Sequence, residues 1–148
     1  MALTAPLYLA SFKLGKSSIV LVNVHLFFGE DTTADRNRRA LETFAVAKWC
    51  DSRRKSKFSF TRELAAMGDF NMPMSVPGDP IFDALTKLGL EIPDHSSQIG
   101  SSIMSDAHYD QVAFFRGLHT IALPARRGSL IMTRWCFRTS LGAGASQS

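Results

Sequence analysis

Glu63-Leu64-Ala65-Ala66-Met67-Gly68-Asp69-Phe70-Asn71 is the stretch on which the reading of this chain turns. It begins as an apolar run of strand length and stops in Gly-Asp-Phe-Asn, where residues that favour turns take over. Residues 63–70 are therefore read as a β-strand, and the two prolines and glycine of 72–78 as the loop that leaves it. Side chains two apart on a strand share a face, so Asp69 and Asn71 face the same way if the strand extends that far. Polar groups at the end of an apolar strand are what a sheet protein places at a site.

Upstream, 19–26 (IVLVNVHL) is rich in β-branched residues and ends in a second polar pair, Asn23 and His25, again two apart. Residues 7–14 alternate loosely, and Gly15-Lys16-Ser17-Ser18 supplies a turn, so the two segments are read as a β-hairpin. Its second strand is apolar on both faces at first, which suits an interior place in a sheet. After a loop, Asp31-Thr32-Thr33 offers N-caps for an amphipathic helix over 34–54. Ala40, Leu41, Phe44, Ala45 and Ala47 are read as its apolar face, and Arg36, Arg39, Lys48 and Asp51 as its polar one.

Downstream, Asp79-Pro80 is an N-cap followed by proline at the first helical position, opening a short helix to about residue 88 with Gly89 as its stop. Residues 91–107 read as loop and 108–115 (HYDQVAFF) as a last strand, which carries Asp110.

Composition narrows the class. The chain has 148 residues, 45% hydrophobic and 20% charged, which suits one folded domain rather than a disordered chain. The longest apolar stretch, 19–28, is interrupted by Asn23 and His25 and is far short of the roughly 20 residues of a membrane helix. The first ten residues have no basic segment of the kind that opens a signal peptide, and an intracellular setting is expected. Two cysteines, Cys50 and Cys136, make no disulfide framework and are read as reduced thiols.

Charge is unevenly spread. Residues 1–115 hold 12 Lys and Arg against 13 Asp and Glu, whereas 116–148 hold five arginines and no acid. The chain is accordingly divided into a domain over 1–115 and a basic, atypical tail over 116–148, ending in the low-complexity LGAGASQS. A basic tail suits an anionic partner such as nucleic acid. The run Arg53-Arg54-Lys55-Ser56-Lys57 reads chiefly as a solvated loop.

Hydrolysis of a phosphoester needs an activated water, a neutralising cation and donors for the phosphoryl oxygens. A carboxylate, an amide and an imidazole at one sheet edge supply several of these parts. Asp69 can orient or deprotonate water, Asn71 can donate to a phosphate oxygen, and a protonated His25 can stabilise the developing charge.

In their order along the chain, these pieces resemble the endonuclease/exonuclease/phosphatase family of metal-dependent phosphoester hydrolases. The resemblance runs over 6–115: N-x-H-L at Asn23 to Leu26, R-x-x-E at Arg39 to Glu42, Gly68-Asp69-Phe70-Asn71, and Tyr109-Asp110-Gln111. It implies an α+β fold, the four-layer α/β/β/α sandwich of that family. It implies His25, Asp69, Asn71 and Asp110 as catalytic residues, with Asn71 and His25 on the scissile phosphate. Asp69 would also be a metal ligand, and Mg2+ or Mn2+ the cofactor. The implied partner is a phosphoester substrate, nucleic acid among the candidates.

The chain departs from the family at both ends. The family's metal-binding Glu precedes the matched region, and the late Ser-Asp-His whose histidine partners the acid at position 110 does not occur after Phe115. Ser105, Asp106 and His108 precede Asp110, in the wrong order, and His119 lies too close to it. The change of texture at Arg116 is what a shifted reading frame or a misassigned exon would give. The expectation is an incomplete sandwich, one sheet face lacking its cover, with weak or absent catalysis. The competing reading is a non-catalytic relative that binds nucleic acid or a protein.

Overall fold

The computed structural model describes residues 6–93, 101–102 and 107–115. It holds β1 (Tyr8–Leu14), β2 (Ser17–His25), α1 (Thr33–Lys55), β3 (Leu64–Asp69), α2 (Pro80–Thr86), β4 (Leu90–Glu91) and β5 (Asp110–Phe115). The strands form one mixed sheet in the order β1-β2-β3-β5-β4. β1 and β2 are the expected hairpin, β2 runs parallel to β3 across the α1 connection, and β5 returns antiparallel to both β3 and β4. β2 and β3 therefore end at the same edge of the sheet where β5 begins.

Both helices start where local chemistry places them. Thr32 caps α1, its hydroxyl accepting the Asp35 N–H at 3.1 Å, and Arg53, Arg54 and Lys55 sit in the last turn against the helix dipole. Asp79 caps α2 by accepting from the N–H groups of Ile81 and Phe82 at 2.9 and 3.0 Å, with Pro80 at the first helical position.

One face of the sheet is the core. Val20, Val22 and Val24 of β2 lie beside Leu64 and Ala66 of β3 and Ala113 and Phe115 of β5. Against them pack Val46, Ala47 and Cys50 of α1 and Ile81 and Leu85 of α2, with Leu26, Phe70 and Met72 sealing the site end. Burying each of the larger side chains is worth about 1.5–3 kcal/mol. Burial also pushes the Cys50 thiol up to about 12, so it stays protonated and is no nucleophile. Cys136 lies outside the described residues.

The opposite face is set by register. Phe12, Ile19, Leu21, Ala65, Met67, Val112 and Phe114 share it, with Tyr8, Asn23, His25, Asp69 and Asp110. Tyr8 and Phe12 are exposed there. The expected α+β class holds, as one five-stranded mixed sheet with two helices. Among the described residues no second sheet is present, so the four-layer sandwich is matched in part.

Three expectations are corrected. β4, two residues long, straddles the start of the segment read as loop, with Glu91 inside it and Leu90 just before; so short a strand has no period to detect. The buried stripe of α1 is Arg39, Glu42, Thr43, Val46, Ala47 and Cys50, so Arg39 points inward and Leu41 outward. That stripe keeps helical spacing but opens with two charged residues, which hid it from a reading by hydrophobicity. The last strand starts at Asp110 rather than at 108. The tail over 116–148, with His119, and Ser105 and Asp106 lie outside the described residues.

Candidate active site at one edge of the sheet

The register brings three of the four expected site residues side by side. His25 ends β2 next to Asp69, which ends β3, and Asp69 pairs with Asp110, which opens β5. All three stand on the face opposite the core, with Asn23 one step inward beside Met67. The imidazole Nδ1 of His25 lies 3.8 Å from Asp69 Oδ2, and the His25 side chain is 82% exposed against 27% for Asp69. Asp110 is exposed, and its N–H donates to the Ser101 hydroxyl at 3.0 Å.

Asn71 is placed differently. It is buried, with a positive φ of 50°, a conformation that asparagine tolerates better than most residues. Its N–H donates to Asp69 Oδ1 at 2.8 Å, and its side-chain Nδ2 donates to the Leu26 carbonyl at 2.7 Å. One oxygen of Asp69 is thus tied to the turn that follows it, while the other faces His25. Asn71 locks the end of β3 to the end of β2.

Gly68 makes the juncture possible. Its φ is +127°, and a Cβ there would run into the Val24 carbonyl oxygen and come within 2.7 Å of Asn23 Oδ1. Only glycine lets β3 approach β2 this closely, one residue before Asp69.

The loop after β2 is held from α1. Phe27 N–H donates to Glu42 Oε2 at 3.2 Å, and Arg39 Nη1 donates to the Phe28 carbonyl at 3.0 Å. The Arg38 guanidinium lies over the Phe27 ring at 3.7 Å, and Phe28 meets Tyr109 edge-on with ring centroids 6.1 Å apart. Farther along the loop, the bidentate hydrogen bonds from Arg36, both 2.7 Å, hold the Asp31 carboxyl below its usual range. The sequence singles out Arg39 and Glu42 as a motif, but its reading puts Arg39 on the polar face and assigns neither to this loop. The signal was there, in two charges three apart at the head of an apolar stripe.

As chemistry, the edge offers an imidazole and two carboxylates on one open face, a set suited to moving protons at a bound oxyanion. Asp69 and Asp110 are hard oxygen donors of the kind magnesium and manganese select. Yet no group of three His, Cys, Asp or Glu residues that could hold a metal ion occurs among the described residues. The residues present do not make the expected metal site by themselves.

Comparison with known proteins locates the fold. Two solved structures of Staphylococcus aureus beta toxin match. The first, described as beta toxin 275-280, aligns with a TM-score of 0.54 and 15% identity, over 76% of this chain and 43% of that one. The second, a β-hairpin deletion mutant, aligns with a TM-score of 0.50 and 16% identity, over 72% of this chain and 42% of that one. A mannosyl-6-phosphatase from Bacteroides thetaiotaomicron aligns with a TM-score of 0.48 and 15% identity, over 68% and 38%. At these identities the likeness is one of fold. The described sheet and helices are a partial match to the endonuclease/exonuclease/phosphatase fold. The chain spans less than half the length of the solved structures it matches. No protein-family model matches the sequence, and no curated protein does.

Proposed function

We propose that this chain is part of a phosphoester hydrolase whose reacting groups are His25, Asp69 and Asp110. The observation that carries the reading is the register: three separate strands deliver these side chains to adjacent positions on one open face. In this reading Asp69 orients and deprotonates the attacking water. His25, when protonated, donates to a phosphoryl oxygen as charge builds on it. Asp110, across from Asp69, adds a second carboxylate acceptor on the water-bearing side of the site.

Asn71, expected to bind the scissile phosphate, spends one N–H of its Nδ2 on the Leu26 carbonyl, which leaves the second N–H for a phosphoryl oxygen. Its role in the proposal is also to hold Asp69 in place. Magnesium or manganese remains the proposed cofactor, and Asp69 is the residue that would offer it a hard carboxylate oxygen. The proposed substrates are phosphodiesters, nucleic acid among them.

The test is cleavage of plasmid DNA and of a simple aryl phosphodiester with magnesium or manganese, comparing the chain with Asp69→Ala. Slow, cation-dependent cleavage that falls by about 100-fold or more in the variant supports the reading. Cleavage equal in both proteins, or none by either, removes the hydrolase reading for this chain and leaves a non-catalytic relative.

A further inference from the structure

We infer that Glu42 is a positioning residue for the His25–Asp69 pair, acting through the backbone of Phe27. The inference rests on reading that pair as part of the phosphoester site, and its test does not depend on turnover.

β2 ends at His25, and beyond it the sheet no longer holds the chain. Four bonds on three consecutive residues take over. Leu26 N–H donates to the Asp69 carbonyl at 2.9 Å, and the Leu26 carbonyl accepts from Asn71 Nδ2 at 2.7 Å. Phe27 N–H donates to Glu42 Oε2 at 3.2 Å, and the Phe28 carbonyl accepts from Arg39 Nη1 at 3.0 Å. The first two come from the end of β3, and the last two from neighbouring turns of α1.

Both α1 charges are also ion-paired, Glu42 Oε1 with Arg38 Nε at 3.5 Å and Arg39 Nη2 with Asp31 Oδ1 at 3.7 Å, so the Phe27 contact is one of several that Glu42 makes. Glu42 is 5% exposed and Arg39 3%, at the head of a stripe that continues with Thr43, Val46, Ala47 and Cys50. A leucine at position 42 would extend that stripe without burying a carboxylate. It would also leave the Phe27 N–H without its acceptor, two residues past His25. Arg39 carries the same link onward: it holds Phe28, whose ring meets Tyr109, the neighbour of Asp110. The exit of β2 and the entry of β5 are thereby braced on either side of Asp69.

Nuclear magnetic resonance on the full chain tests this as a coupling. Asp69→Asn shifts the His25 imidazole resonances when Glu42 is present. In a Glu42→Leu background the same substitution is expected to shift them by less than about half as much. In Glu42→Gln, whose amide oxygen can still accept from Phe27, the full response is expected. An undiminished response in Glu42→Leu overturns the inference, and so does an equal loss in Glu42→Gln and Glu42→Leu. If Glu42→Leu does not fold, exchange of the Phe27 amide decides: protection in both wild type and Glu42→Gln supports the tie, and exchange at an exposed-loop rate in wild type overturns it. Failure of the hydrolase reading is distinguishable, since it would show as intact coupling in a chain that cleaves nothing.

Discussion

The two faces of the sheet are built from the same strands and serve different ends. On the covered face, Val20, Val22, Val24, Leu64, Ala66, Ala113 and Phe115 pack on two helices, with the buried amide of Gln111 at the site end. On the open face, each of the three inner strands changes character along its length. Leu21 gives way to Asn23 and His25, Met67 to Asp69, and Val112 to Asp110, all at the same edge. Because side chains alternate, one strand can meet both demands without compromise. Stability and chemistry are thus separable here almost residue by residue, and substitutions can be chosen to break that separation.

The largest effect is expected on the covered face. Phe70→Ala removes a fully buried ring at the site end of the core and should cost about 3–5 kcal/mol in urea unfolding. Gly68→Ala comes next, at about 2–4 kcal/mol, because the new Cβ meets the Val24 carbonyl at a φ of +127°. A Gly68→Ala chain as stable as wild type would show that β2 and β3 are not in such close contact. Asn71→Ala deletes the donor to the Leu26 carbonyl and should cost about 1–3 kcal/mol.

The alkaline response of Cys50 grows with pH instead of following a substitution. Its folded value, raised from 9.0 to about 12, means that the folded chain keeps the thiol proton where the unfolded chain loses it. This contribution is whole below 9.0 and is lost as pH rises toward 12. The urea midpoint should therefore fall more steeply over that window in wild type than in Cys50→Ala. Smallest is His25→Ala, which should change stability by no more than about 0.5 kcal/mol, since the side chain is exposed.

The same contrast explains what could be read from the sequence. Alternation and turn chemistry were enough for the hairpin, for β3 and for the Asp79-Pro80 start of α2. The open-face cluster was visible as polar residues two apart at strand ends. What escaped was whatever depends on partners distant in sequence. The two residues of β4 are a strand only because β5 lies beside them. Arg39 and Glu42 are buried where the loop after β2 folds back onto them. Asn71 was legible as a site residue by motif, but not its bond to a carbonyl 45 positions away in the chain. Hydrophobic periodicity cannot register a charged residue whose partner is a backbone group.

Asp69 and Phe70 are neighbours in sequence and belong to opposite faces, so they offer the most direct test. The measurement is the rate of metal-dependent aryl phosphodiester cleavage, together with the urea midpoint, for wild type, Asp69→Ala and Phe70→Ala. The account predicts that Asp69→Ala lowers the midpoint less than Phe70→Ala does, with about 1–3 kcal/mol lost for the missing Asn71 N–H acceptor, and loses cleavage by about 100-fold or more. Phe70→Ala loses stability first and retains cleavage where still folded. Cleavage that survives Asp69→Ala, or that is absent from the wild-type chain, would contradict it.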